Sequence, residues 1–221
     1  MSRTSRLVVP EYPHHVTQRG GRRQTTFFSD SDYKMYIDLM ASEKESSDVE
    51  ILAYCLMPNH VHHVIVPHRA DSLSSLFRRV HGEYARRVNR REGWQGHLWQ
   101  ERFHSFVLDE NYLLATVRYV ELNPVRAGLC SRPDAWSWSS VHAHVHGEDD
   151  LLVAAQSMRR WIDDWPRYLG LGDSESDLER IRLHKSTGLP IGADAFIDGL
   201  EDQVGRCLRT QKRGPKPASP R

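Results

Sequence analysis

Apolar and polar positions divide the chain into short alternating runs and longer helical ones. His14-His15-Val16-Thr17-Gln18 alternates enough for a short strand, and Gly20-Gly21-Arg22-Arg23 behind it reads as a turn. Tyr33, Tyr36, Ile37 and Met40 then recur at helical spacing, with Ser29 and Asp30 as capping candidates, before the polar run Ser42 to Asp48. Val49 to Leu56 and His60 to Val66 read as two strands, and Met57-Pro58-Asn59 between them favours a tight turn, so the pair predicts a β-hairpin. Asp71 or Ser72 opens a further helix that turns Leu73, Leu76, Phe77 and Val80 inward and its arginine pairs outward. Beyond the loop with Gly93, Trp94, Gly96 and His97, Leu98 to Leu108 reads as a fourth strand. Asp109 caps a helix over Glu110 to Asn123, which Pro124 should end.

The order βαββαβα predicts an α+β fold, a ferredoxin-like antiparallel sheet with helices on it. After Trp136 the periodicity weakens. Trp136, Trp138, Trp161 and Trp165 suggest a packed appendage, and Phe196, Leu200, Val204 and Leu208 form an i, i+4 stripe on a helix from Asp194 to Leu208. The expected organisation is a domain over 1–145, a mostly helical C-terminal extension over 146–209, and a disordered basic tail over 210–221.

Composition excludes the disordered and fibrous classes: 221 residues, 39% hydrophobic and 27% charged, can bury a core. No apolar run approaches the roughly 20 residues that span a bilayer, and the N-terminus lacks the apolar stretch of a signal peptide, so no membrane partner and a cytoplasmic location are expected. Three cysteines, Cys55, Cys130 and Cys207, lie too far apart for a CxxC metal pattern.

The net charge of +1 is a cancellation. Arg19, Arg22 and Arg23 make the first segment basic; Arg78, Arg79, Arg86, Arg87, Arg90 and Arg91 do the same for the second predicted helix. The tail is basic too, whereas residues 148–179 hold nine acids against three arginines. Such separation suits a polyanion-binding face, though solvated helix faces would give the same pattern.

In the second hairpin strand, His60 and His62 project to one face while Val61 and His63 project to the other. Two imidazoles on one face are half of a metal site, and in a chain with thirteen histidines the pattern by itself does not establish one. On the wheel of the Glu110 to Asn123 helix, Leu113, Val117 and Val120 form the core face and Tyr112, Tyr119 and Asn123 an adjacent flank. By direction alone either tyrosine qualifies as a nucleophile. Tyr119 has Asn123 one turn on, and Tyr112 has only Thr116.

Leu52-Ala53-Tyr54-Cys55-Leu56-Met57-Pro58-Asn59-His60-Val61-His62, followed by Arg118-Tyr119-Val120-Glu121-Leu122-Asn123-Pro124-Val125-Arg126-Ala127-Gly128, resembles the single-tyrosine HUH transposases, in particular the branch associated with repetitive extragenic palindromes (REP). His15-Val16-Thr17-Gln18-Arg19-Gly20 and Leu98-Trp99-Gln100-Glu101-Arg102-Phe103 match the same branch, and the likeness covers roughly residues 5–145. The resemblance implies a ferredoxin-like nuclease domain acting on single-stranded DNA with stem-loops, with a homodimer as one admissible assembly. It implies a divalent metal, Mg or Mn, held by His60, His62 and Asn123. Tyr119 is then the nucleophile, cutting and joining strands through a 5′-phosphotyrosine link. Arg19, Arg22, Arg23, Arg102 and the six arginines from Arg78 to Arg91 are the expected phosphate contacts, and Trp94 and Trp99 the expected base-stacking surfaces. Two other readings are weighed beside it: a non-catalytic hairpin-binding regulator on the same fold, and a zinc hydrolase, for which no acid stands beside the histidines as general base. Arg213-Gly214-Pro215-Lys216-Pro217 is loosely similar to an AT-hook.

Overall fold

The computed structural model describes residues 6–210. β1 (His14–Arg19), α1 (Asp30–Lys44), β2 (Val49–Met57), β3 (His60–Pro67), α2 (Ser72–Glu92) and β4 (His104–Val107) follow in the predicted order. They build one antiparallel sheet with strand order β2-β3-β1-β4. This is the ferredoxin-like arrangement: each hairpin or crossover returns the chain beside the strand it must pair with.

Register divides the sheet into two faces. Thr17 stands opposite His62 and Arg19 opposite His60 across β1 and β3, and Cys55 opposite His62 across β2 and β3. Residues directly opposite share a face, so these side chains all point one way and Val16, Val61, His63 and Ile65 point the other. α1 and α2 cover the second face. Tyr36, Met40, Leu73, Leu76, Phe77, Val80 and Tyr84 close a core over it.

The first face is covered by α3 (Glu110–Glu121) and by the C-terminal residues. Asp109 caps α3 by accepting the Tyr112 amide at 2.8 Å, as its position before an apolar periodic run predicts. Four short helices and two longer ones follow: α4 (Asn123–Arg126), α5 (Val141–His146), α6 (Gln156–Arg159), α7 (Trp165–Gly170), α8 (Glu175–Thr187) and α9 (Asp194–Val204). Met158, Trp165, Leu169, Leu178, Ile181 and Ile191 share one core with α3 and the sheet. The junction is polar as well. Fully buried Glu121, two residues after Tyr119, accepts hydrogen bonds from Ser140 Oγ (2.7 Å), His144 Nδ1 (2.6 Å) and Trp165 Nε1 (2.7 Å). A buried carboxylate is tolerated only with such a set of donors, so these bonds fasten the extension to α3.

Several boundaries differ from expectation. Of the predicted strand Leu98 to Leu108 only His104–Val107 pairs as β4; Trp99 makes one bridge to Gly20, because the polar run Gln100-Glu101-Arg102 cannot be buried in a sheet interior. The tyrosine helix ends at Glu121, and Pro124 opens the single turn of α4 instead of following Asn123 as a stop. A proline lacks the amide that a helix interior needs and fits a first turn. Ser29 precedes α1 without capping it; Asp32 Oδ2 accepts the Phe28 amide (2.8 Å) instead. α9 stops at Val204 on left-handed Gly205, so Leu208 reaches the core from a turn. The basic tail and its AT-hook-like stretch lie outside the described residues apart from Thr210. Among the described residues no helix is long and apolar enough to cross a membrane.

Candidate active site

The turn between β2 and β3 is held from outside the hairpin. Gly20 N–H donates to the Asn59 carbonyl (2.9 Å) and Thr26 N–H to that of Pro58 (2.8 Å), so the loop after β1 clasps the Met57-Pro58-Asn59 turn. Arg22 and Arg23 adopt left-handed φ of 55° and 62° in that loop, a conformation that costs a β-carbon-bearing residue on the order of 1 kcal/mol. The Arg23 carbonyl accepts from Asn59 Nδ2 (3.2 Å), which turns Asn59 Oδ1 toward His60 Nδ1 at 2.6 Å. An amide oxygen only accepts, so His60 carries its proton on Nδ1 and keeps a lone pair on Nε2. Burial first, then the positive fields of Lys185 and Arg19, lowers the His60 pKa to about 3.

His62 lies one step further along the same face, its ring centre 4.9 Å from that of His60. His15, diagonal to it across β1, stacks on it at 5.1 Å, and His15 Nε2 and His62 Nδ1 hydrogen-bond at 2.9 Å. Both rings are wholly buried and held neutral well below the ordinary histidine range, chiefly by burial and then by Lys185. His62 Nε2, His15 Nδ1 and Asn123 Nδ2 are buried without a hydrogen-bond partner among the described residues. His63 faces away, among Tyr36 and Phe77.

Tyr119 packs its ring edge-on to both imidazoles, 5.8 Å from His62 and 5.9 Å from His15. Arg126 fixes it from behind: the guanidinium lies 4.2 Å over the phenol ring and donates to the Tyr119 carbonyl and to Asp173. Tyr119 and His60 line a cavity of about 450 Å³ walled by Arg19, Arg102, Arg182 and Lys185. Tyr112 is elsewhere. Its hydroxyl accepts from Arg180 and it lines a separate cleft with Asp109 and Asp177.

Two imidazole nitrogens without hydrogen bonds on one sheet face suit a divalent cation, whose remaining positions oxygen ligands can fill. Among the described residues no three His, Cys, Asp or Glu side chains are arranged to hold an ion. Asn123 is partly buried at the start of α4 and is not among the residues lining the cavity.

The ten predicted DNA-contacting arginines fall into distinct groups. Arg19 and Arg102 line the tyrosine cavity. Arg22 lines a neighbouring cleft with exposed Trp94, and Arg78 a groove that Arg102 also borders. Arg23 is exposed in the loop behind β1. Arg79 pairs with Glu43 (2.9 Å), Arg86 and Arg87 both pair with Glu83, and Arg90 projects exposed beside them. Arg91 grips Asp32, whose side chain is buried, and so ties α2 to the start of α1. The α2 group lies on a helix that covers the opposite sheet face, and four of its six members are already in ion pairs. Trp99 is no stacking platform: it is buried, with Nε1 bonded to the His81 carbonyl at 3.2 Å. Trp94 remains exposed against Phe28.

Sequence reasoning missed three contributors. His15 and Arg126 stood inside quoted motifs without a role; what gives them one is contact across 47 residues and across a helix break. Lys185 had no local signal.

Residues 8–123 match the family model described as "Transposase IS200 like". The REP-associated tyrosine transposase of Escherichia coli strain K12 is 25% identical over 116 residues, 52% of this chain and 68% of that one. A Haemophilus influenzae protein provisionally given the same name is 26% identical over 110 residues, 45% of this chain and 62% of its own length. A solved REP-associated tyrosine transposase bound to a REP hairpin superposes with a TM-score of 0.58 at 22% identity, over 69% of this chain and 90% of that chain, which is a likeness of fold.

Proposed function

The chain belongs to the IS200-like transposase family, and from that premise we propose that it cuts and rejoins single-stranded DNA beside hairpin-forming palindromes, with Tyr119 as nucleophile. One observation carries the reading: on this chain the phenol of Tyr119 shares a cationic cavity with His60 and stacks edge-on to His62. The relatives named for REP elements, and the hairpin bound by the one of like fold, support the choice of substrate.

Tyr119 Oη attacks the phosphorus, the P–O3′ bond breaks, and the phenolic proton passes to the departing 3′ oxygen. A 5′-phosphotyrosine and a free 3′-hydroxyl result. One phosphodiester replaces another, so the 3′-hydroxyl of a second strand can reverse the step. Arg126 holds the ring over its guanidinium, so the nucleophile enters with little freedom left to lose. Arg19 and Arg102 orient the backbone at the cavity wall, with Arg22, Arg23 and Arg78 as flanking phosphate contacts. The α2 arginines already paired must release a carboxylate before they can touch DNA. Trp94 offers a face for an unpaired base.

His60 Nε2, His62 Nε2 and the Asn123 side chain are the residues that would hold Mg or Mn. Such an ion, when bound, polarises the scissile phosphate. Asn59 fixes the tautomer of His60, and His15 can do the same for His62 by accepting from Nδ1.

The test is a denaturing gel of the full chain with Mn²⁺ and a hairpin oligonucleotide carrying a single-stranded flank. A DNA-linked band in the parent chain and none in Tyr119→Phe supports strand transfer. Retarded native complexes without any linked band would instead support a hairpin-binding regulator.

A further inference from the structure

α8 lies outside the region matched by the family model, yet it supplies a wall of the tyrosine cavity. Its pattern is inverted at one position. Leu178 and Ile181 face the core, and Lys185 follows them at i+7 and i+4 on the same side, while Leu183 is 57% exposed. An inward helix position normally takes an apolar residue, and a lysine there normally finds a carboxylate. Lys185 has neither. Among the described residues it makes no ion pair, and the charged groups that act on it, Arg19 and Arg126, are both cations. Burial and those two arginines lower its pKa to about 8. Its own field reaches His15, His60 and His62. The extension is anchored well enough to keep it there: Ile191 N–H donates to the Val107 carbonyl (2.9 Å), and Glu121 binds Trp165. A partly buried cation surrounded by cations costs stability, and such local inconsistencies concentrate at functional sites. An anion in the cavity would offset that cost.

We propose that Lys185 is a catalytic residue of the strand-transfer site, its ammonium binding a non-bridging oxygen of the phosphate that Tyr119 attacks. This assignment rests on the reading of the cavity as a strand-transfer site. As the P–O3′ bond breaks and the Oη–P bond forms, charge builds on the phosphoryl oxygens, and an ammonium already in place stabilises that state without reorganising. The C-terminal extension then completes the active site of the family core.

Single-turnover formation of the covalent adduct, with saturating hairpin oligonucleotide and Mn²⁺, tests it on the full chain. Lys185→Ala should slow adduct formation on the order of 10²-fold while DNA affinity changes by less than about threefold, and Lys185→Arg should recover most of the rate. Substituting sulfur for a non-bridging oxygen of the scissile phosphate should slow the parent chain more than Lys185→Ala, because only the former has the ammonium contact to lose. The midpoint of thermal unfolding should not fall in Lys185→Ala. A rate equal to the parent's, or a slow rate with an unchanged sulfur effect, overturns the assignment and leaves the strand-transfer reading intact. If the parent chain itself forms no adduct, that reading falls and this assignment with it.

Discussion

The two faces of the sheet are built from the same four strands and differ in what fills the space over them. On the α1 and α2 face, Tyr84 Oη donates to the Thr26 carbonyl (2.6 Å), Tyr36 Oη and His81 Nε2 bond at 2.9 Å, and the Asp32 carboxylate is gripped by Arg91. Its aromatic rings pack edge to face and fill the space, and of its histidines among the described residues His63 alone is buried there with both ring nitrogens unpaired. On the α3 face, His62, His15 and Asn123 keep unmatched nitrogens, and His60 and Tyr119 line a cavity whose cations outnumber its acids. One face is filled by packed rings; the other opens on a cavity whose positive charge a phosphodiester would neutralise. β3 shows the division at single-residue spacing, with His60 and His62 on the cavity side and His63 on the packed side.

Separating these histidines gives the largest expected effect. His60→Ala or His62→Ala should reduce metal-dependent adduct formation by roughly 10³-fold while hairpin binding persists, because the proposed phosphate contacts are arginines. His63→Leu should keep full activity and at least parental stability, since both of its buried nitrogens lack partners and their loss costs no bond. Adduct rates that fall equally in His60→Ala and His63→Leu, with both chains folded, would break the division of faces.

Arg91 sharpens the comparison from the other side. Arg91→Ala should lower unfolding free energy by about 2 kcal/mol, less than for a fully buried pair because the guanidinium is partly exposed, with hairpin affinity nearly unchanged. Arg86→Ala and Arg87→Ala remove arginines that share the one Glu83 carboxylate, and each should cost far less than Arg91→Ala. Arg19→Ala with Arg102→Ala should lower the slope of log affinity against log salt by about 0.7 per charge removed. Urea titrations and salt-dependent binding separate these outcomes, and a large affinity loss in the α2 variants would return that helix to the DNA interface.

The histidines also set a pH dependence. His14, His60 and His63 are lowered to about 4, 3 and 3, all chiefly by burial. Below the ordinary value near 6.5 the unfolded chain binds protons that the folded chain refuses. Stability is therefore complete above that pH and should fall as pH drops toward 4, by on the order of 1 kcal/mol per pH unit for each histidine. Urea midpoints at pH 7 and pH 5 measure it, and His63→Leu should show the smaller drop. A midpoint that rises on acidification would contradict the neutral state of these rings.

The fold was legible in β2 and β3 because alternation, a Pro-Asn turn and buried aliphatics all pointed one way there. α2 and α3 were legible because their apolar stripes run for several turns. α8 was not singled out: Leu178 and Ile181 alternate with charged residues too closely for a stripe, and the helix exists because Ile181 and Leu178 meet a core made by residues far away. Leu98 to Leu108 misled because Trp99 and Phe103 are buried through α2 and not through a ladder. In the site, His60, His62 and Tyr119 were visible as spacing and motif. His15 against His62, Arg126 over Tyr119 and Lys185 in the cavity arise from packing between segments, which no local pattern carries.

The claim that the α3 face performs the chemistry meets its most direct test at the two tyrosines of α3. They lie two turns apart, and the structure gives Tyr119 to His15 and His62 and Tyr112 to Arg180. The measurement is mass-spectrometric identification of the nucleotide-bearing peptide after trypsin and nuclease digestion of the adduct. The phosphotyrosine is expected on Tyr119, with Tyr112→Phe forming the adduct at the parental rate. Recovery of the nucleotide on Tyr112, or of an adduct that survives Tyr119→Phe, would contradict the account.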